Sequence, residues 1–173
     1  MPAEAYIAVG SNIEPEKYVP AAVARLREET EVLTISTFYR TRPVGRPEQP
    51  DYRNGMVRLR TELGRDELVR EVLKRIEAKL GRERSADRYT ARTIDLDVAV
   101  YCAPGGAVWA EPAVAQHNFI AAPLAELSPG LALPPAGRTA AQVADDLGRA
   151  GLEPDEALTR RLREVLKHEQ DPR

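Results

Sequence analysis

The chain has 173 residues, 43% of them hydrophobic and 30% charged, with a formal net charge of −2. That length suits one ordinary domain, able to bury a core without disulfide or metal staples, and the near-balanced charge excludes a global basic field for nucleic acid or an anionic membrane. No apolar run approaches the ~20 residues of a bilayer span, and the single cysteine, Cys102, cannot form an internal disulfide, which suits a reducing compartment.

The first residues lack a basic-then-apolar signal segment, so the expected location is the cytoplasm. Ala5 to Val9 is a short apolar run stopped by Gly10-Ser11-Asn12, the pattern of a buried strand followed by a turn. The glycine either serves an ordinary strand-to-helix turn or lets backbone approach a ligand closely. Pro15 opens a helix in which Val19, Val23 and Leu26 share one stripe. The β-branched residues between Val32 and Phe38 predict a second strand. Met56 to Thr61 predicts a third, with Val57 and Leu59 inward and Arg58 and Arg60 outward. The connection between them, Tyr39 to Asn54, far exceeds the about 2–5 residues of a hairpin loop. Stiffened by Pro43, Pro47 and Pro50 and loaded with arginines, it reads as a functional loop.

Asp66 to Leu80 predicts the strongest helix, with Leu68, Val72, Leu73, Ile76 and Leu80 as its apolar stripe and Gly81 as its stop. Glu77 lies off the stripe and reads as an exposed surface acid. Arg82, Arg84, Arg88 and Arg92, with Tyr89 among them, load the loop that follows. It is either a solvated charged loop or an arginine clamp, since guanidinium forks match phosphate oxygens.

Arg92-Thr93-Ile94-Asp95-Leu96-Asp97-Val98-Ala99-Val100 comes next. Ile94, Leu96, Val98 and Val100 alternate onto one face of a strand, Asp95 and Asp97 onto the other. Side chains two apart point the same way, about 6.6–7 Å apart at Cα. Two such carboxylates repel and carry a desolvation cost unless something positive lies between them. The strand is therefore either an edge strand with a wet outer face or the floor of a site for a hard cation such as Mg²⁺, which takes oxygen ligands.

Downstream, Gly105-Gly106 predicts a hairpin turn with a short return strand at 107–109. Ile120 to Leu127 predicts a short apolar helix or turn, and Thr139 to Arg149 a small helix capped by Thr139. On their own, His117 reads as a surface histidine, and Trp109 and Phe119 as packing residues. Asp155 to Glu169 predicts a charged helix with Leu158, Leu162 and Val165 as its apolar line. Preceded by Gly151 and Pro154, it reads as an appended arm. The expected organisation is a single domain over 1–150 and a C-terminal helical extension over 151–173.

The order strand, helix, strand, strand, helix, strand is the split βαβ arrangement of an α+β, ferredoxin-like βαββαβ sandwich. It has a four-stranded antiparallel sheet with two helices on one face, here with C-terminal helical additions. Right-handed crossovers keep those helices together, so Asp95 and Asp97 are expected on the open face opposite them.

These residues resemble the 6-hydroxymethyl-7,8-dihydropterin pyrophosphokinase family of folate biosynthesis, from Tyr6 to about Pro129. The most specific part is Arg92-Thr93-x-Asp95-x-Asp97. Gly10-Ser11-Asn12, Tyr39-Arg40-Thr41, Gln49-Pro50-Asp51-Tyr52-x-Asn54, the Glu77…Gly81-Arg82 spacing and Phe119…Pro123-Leu124 follow in the family's order. The resemblance implies Mg²⁺-dependent transfer of pyrophosphate from ATP, the co-substrate, to the pterin hydroxymethyl group, releasing AMP. It implies that Asp95 and Asp97 hold two Mg²⁺ ions, and that Tyr52 and Phe119 stack the pterin, a geometry aromatic rings favour. Asn54 would bond the pterin edge, with backbone around Thr41, Pro43 and Val44 completing the pocket. Arg82 and Arg92 would engage phosphates, Arg84 in the same loop, with Glu77 and His117 on the ATP side.

Three departures stand out. Tyr89-Thr90-Ala91 replaces the family's Trp-Gly-Pro, and His117 stands where an arginine is usual. Glu111-Pro112 lies near the place of a Pro-His pair. The expected partners are small molecules only, with no nucleic acid or membrane, and the chain a monomer or a dimer through its C-terminal helix. A ferredoxin-like module that binds RNA without turnover would carry aromatics on the open face of its central strands; the fourth strand carries carboxylates there. A relative that has lost activity through the His117 and Glu111 departures is the remaining alternative.

Overall fold

The computed structural model describes residues 1–82 and 91–167. Strand β1 (Ala3–Ser11) leads through Glu14, the one non-glycine residue with positive φ among the described residues, into α1 (Pro15–Glu29). Strands β2 (Glu31–Ile35), β3 (Tyr39–Thr41) and β4 (Tyr52–Thr61) follow. A continuous helical stretch comes next: α2 (Arg65–Leu68), a π-helical turn (Val69–Leu73) and α3 (Lys74–Lys79). Strand β5 (Asp95–Cys102) turns at Gly106 into β6 (Val108–Ala110). Then come a 3₁₀ turn (Pro112–Ala115), α4 (Asn118–Leu127), the small pair β7 (Ala132–Leu133) and β8 (Arg138–Thr139), α5 (Ala140–Leu147), β9 (Glu153–Pro154) and α6 (Glu156–Lys167).

The main sheet runs β6-β5-β1-β4-β3-β9, with β2 beside β3 along the same edge of β4, and every pairing is antiparallel. This is the expected ferredoxin-like order, with an edge strand in two pieces. The split occurs at Ser36, whose Oγ accepts the Met56 N–H (2.8 Å) while its own N–H donates to Met56 O (2.9 Å). A side chain thus takes one rung of the ladder, and the strand breaks there.

One face of the sheet packs Ile7, Val9, Val57, Leu59, Leu96 and Val98 against the stripes of α1 and of the α2–α3 stretch. The expectation that the other face is open holds at one end only. At the other end Tyr6, Met56, Ala99 and Val100 are covered by Ala121 and Leu124 of α4 and Ala140 and Val143 of α5. Val100 was expected beside Val98. A register shift opposite Tyr6 and Ile7 inserts Ala99 as an extra residue. Such a bulge turns the following side chains to the opposite face.

Three further expectations are corrected. Tyr52 and Asn54 lie on β4 and not in a loop, so the connection from β3 spans only 42–51. Glu77 is 1% exposed, not a surface acid. Helix α6 is not an arm apart from the core: Leu158 and Leu162 are buried in the same cluster as α1, so its apolar line packs into this chain's own core. Its side-chain bonds follow suit, Arg27 donating to Val165 O and Arg161 to Glu16 O. No helix among the described residues is long and apolar enough to cross a membrane.

Candidate functional site

The site forms where β1 and β5 meet β4 at the uncovered end of the sheet. Gly10 pairs with Asp95 on one side and with Asn54 on the other, so the three residues form a row across three strands. A Cβ on Gly10 would lie 2.8 Å from Asn54 Oδ1, closer than real contacts allow. Glycine is therefore needed here because the Asn54 amide lies across the strand. The other end of that amide donates from Nδ2 to Thr41 Oγ1 at 2.7 Å, which orients it. Asn12, 2% exposed, ties the surrounding loops to this row. Its Oδ1 accepts the Arg92 N–H (2.7 Å), its Nδ2 donates to Gln49 Oε1 (3.1 Å), and its N–H donates to Arg92 O (3.1 Å).

Two cavities flank the carboxylate pair. The smaller, about 170 Å³, is lined by Thr41, Val44, Tyr52, Asn54, Asp95 and Phe119, together with Arg42, Gln49 and Arg92. The larger, about 410 Å³, lies on the Asp97 side, with Arg65, Val69, Trp109, Glu111 and Ile120 in its wall. The Arg65 guanidinium stands 3.9 Å above the Trp109 ring. Val69 belongs to the π-helical turn, a local irregularity common at functional sites. Asp95 and Asp97, neighbours on one face of β5, sit on the divide between the cavities.

The two carboxylates differ electrostatically. Asp95 is held at both oxygens, by Arg82 Nη1 at 2.9 Å and Arg92 Nη1 at 2.7 Å. Arg82 also donates to Glu77 Oε2, which accepts the Leu96 N–H at 3.1 Å. These bonds offset the desolvation of a buried Glu77. Asp97 takes part in no ion pair among the described residues. Asp97 keeps an exposed side, yet the protein packed beside its carboxylate and the negative charges of Asp95 and Glu77, opposed by Lys74, push it up to about 7. An oxygen-only pair in which one member resists ionisation is a donor set that a hard cation would relieve. Two carboxylates fill only part of an octahedral shell. No group of three or more His, Cys, Asp or Glu surrounds one point among the described residues. The pair leaves the rest of such a shell to water or to oxygens of a ligand.

Of the expected site residues, the fold brings together Thr41, Val44, Tyr52, Asn54, Phe119, Asp95, Arg82, Arg92 and, across the divide, Asp97. Pro43 lies between Arg42 and Val44 but is not in the wall. Glu77 reaches neither cavity and holds Arg82 instead. His117 lines neither cavity; its ring stacks on Phe119 at 4.9 Å between centroids and 19° between planes. Arg84, Arg88, Tyr89 and Thr90 lie outside the described residues. Sequence reasoning left Asn12, Gln49 and Arg42 out of the site, although the Gly10-Ser11-Asn12 turn was a signal for the first. Nothing local in the sequence pointed to Arg65, Val69 or Trp109, which meet only in the fold.

A ferredoxin-like sheet whose acidic pair separates two dissimilar cavities, ringed by arginines, is an arrangement for an enzyme that joins two ligands. The family model for 7,8-dihydro-6-hydroxymethylpterin-pyrophosphokinase matches residues 6–129. Similar proteins called 2-amino-4-hydroxy-6-hydroxymethyldihydropteridine pyrophosphokinase occur in several bacteria. The Haemophilus influenzae protein is 37% identical over 140 residues, covering 75% of this chain and 84% of the relative. That of Bacillus subtilis is 37% identical over 130 residues, 71% and 77% of the two chains. That of Methylorubrum extorquens is 35% identical over 158 residues, 86% and 96%. The chain belongs to the 7,8-dihydro-6-hydroxymethylpterin-pyrophosphokinase family.

Proposed function

We propose that the chain catalyses Mg²⁺-dependent transfer of pyrophosphate from ATP to the hydroxymethyl group of 6-hydroxymethyl-7,8-dihydropterin. The observation that carries this reading is the position of Asp95 and Asp97 on the divide between two cavities of different size. The smaller suits a flat heterocycle. Tyr52 and Phe119 offer ring faces, and the Asn54 amide, oriented by Thr41, offers hydrogen bonds at an edge. The larger, with Val69, Trp109 and Ile120 in its wall, suits the base of a nucleotide whose phosphates run toward Asp97.

In the reaction the pterin hydroxymethyl oxygen attacks the β-phosphorus of ATP. The bond from that phosphorus to the oxygen bridging the α-phosphate breaks, AMP leaves, and the hydroxyl proton is released. Such transfers need alignment and positive charge more than covalent help from the protein. Asp95 and Asp97 would hold Mg²⁺, which when bound neutralises phosphate oxygens and aligns the triphosphate. Arg82 and Arg92, whose guanidinium groups stand against Asp95, would offer N–H donors and positive charge to phosphate oxygens of the nucleotide.

The test is a titration of the chain with a non-hydrolysable ATP analogue, with and without Mg²⁺, followed by the pterin, together with a coupled assay of AMP release. Metal-dependent nucleotide binding, pterin binding and AMP formation are expected, with Asp97→Ala losing turnover while its circular dichroism is retained. Metal-independent nucleotide binding, or turnover retained by Asp97→Ala, refutes the metal role.

A further inference from the structure

The segment between α5 and α6 passes round the free edge of the sheet, from the face that carries α4 to the face that carries α1. On its way it bonds to chain neighbours of residues in both walls of the smaller cavity. On the α4 side, Ala150 O accepts from Asn118 Nδ2 at 2.9 Å. Asn118 immediately precedes Phe119, at the start of a helix that no side chain of its own N-cap residue closes. On the sheet side, Glu153 and Pro154 pair with Arg40 and Tyr39 of β3. The Asp155 N–H donates to Phe38 O at 2.8 Å. Asp155 Oδ2 accepts from Arg53 Nε at 2.7 Å, in an ion pair whose side chains are 18% and 16% exposed. Arg53 stands between Tyr52 and Asn54 on β4, its side chain on the reverse face of the strand.

A slot for a flat ring works only if its walls keep one spacing. Binding constellations must be held to about 0.5 Å by the residues behind them. Here the walls belong to separate elements. Tyr52 begins a strand inside the sheet, with β3 and β9 outside it, and Phe119 lies at the start of a helix on top of the sheet. We propose that residues 149–155 are a brace that sets the gap between Tyr52 and Phe119. In it Asn118, Arg53 and Asp155 are positioning residues for the flat-ring substrate. The proposal rests on the reading of the smaller cavity as the pterin pocket. The attachment of α6 does not depend on these bonds, because Leu158 and Leu162 anchor that helix in the core.

The experiment is steady-state kinetics with both substrates varied, on Asn118→Ala, Asp155→Asn and the double variant. Asparagine at 155 can still accept the Leu158 N–H that caps α6 (3.0 Å in this chain), so Asp155→Asn removes the negative charge that faces Arg53 and keeps the cap. The expected result is a pterin KM raised about 5–20-fold in each single variant with the ATP KM within about twofold, since small misplacements of a bound ring are costly. The double variant is expected to fall short of the product of the singles, because both ends act through one segment. A pterin KM unchanged in both singles, pterin and ATP KM rising together, or fully multiplicative effects each overturn the brace. If the unaltered chain binds no pterin, the proposed function fails with it; if the unaltered chain binds pterin and the variants bind it equally well, only the brace fails.

Discussion

Asp95 and Asp97 stand two residues apart on one strand, yet their surroundings set them opposite tasks. Two guanidinium groups hold the first, while the second is pushed up to about 7 by lost hydration and by the charges of Asp95 and Glu77. A carboxyl whose pKa is higher in the folded than in the unfolded chain stabilises the fold only while it stays protonated. That contribution is complete below the unfolded value of about 4 and is lost as pH rises toward 7. Asp97→Asn is therefore expected to raise the melting temperature of the metal-free protein at pH 8, with the advantage shrinking toward pH 5. Thermal scans across that range, comparing the two proteins pH by pH, check the sign; an advantage that grows on acidification contradicts it. Gly10 offers a second residue-scale test. The added methyl of Gly10→Ala would stand 2.8 Å from Asn54 Oδ1 and must displace that amide. The expected outcome is pterin affinity lower by about tenfold, the order of one lost or distorted hydrogen bond to a buried edge, with nucleotide affinity unchanged when both are titrated.

At the scale of elements, β4 bears pocket residues on one face and the packing that positions them on the other. Phe38, fully buried, lies over Gly55, where a Cβ would come within 2.5 Å of its ring. Gly55→Ala is expected to destabilise the chain by about 1–3 kcal/mol through overpacking, read as a shifted urea midpoint at unchanged slope. The start of α5 carries a reciprocal cap, Thr139 Oγ1 accepting the Gln142 N–H and Gln142 Oε1 accepting the Thr139 N–H. Thr139→Ala should cost about 1 kcal/mol without altering either substrate's KM. That cap was legible in the sequence because capping is local chemistry. The break between β2 and β3 was not legible, because it depends on Ser36 meeting Met56, twenty positions away in the chain.

On the scale of the whole molecule, α6 closes the core it shares with α1. Leu162→Ala is expected to cost about 2–5 kcal/mol, as for other fully buried leucines, and to lower a single cooperative melting transition; a separate early transition for the C-terminal segment would show that the helix folds on its own account. The periodicities of the chain were enough to determine the order of the core βαββαβ elements, the face of β5 on which Asp95 and Asp97 lie, and, through the signature around them, the family. Each of these depends on spacing within one element or on short motifs in a set order. Tertiary structure alone decided the bulge at Ala99 that turns Val100 over, the burial of Glu77 behind Arg82, the meeting of Arg65 with Trp109, and the passage of residues 149–155 round the sheet edge. Those features arise from contacts between residues far apart in sequence, whose energies depend on partners that no local pattern names.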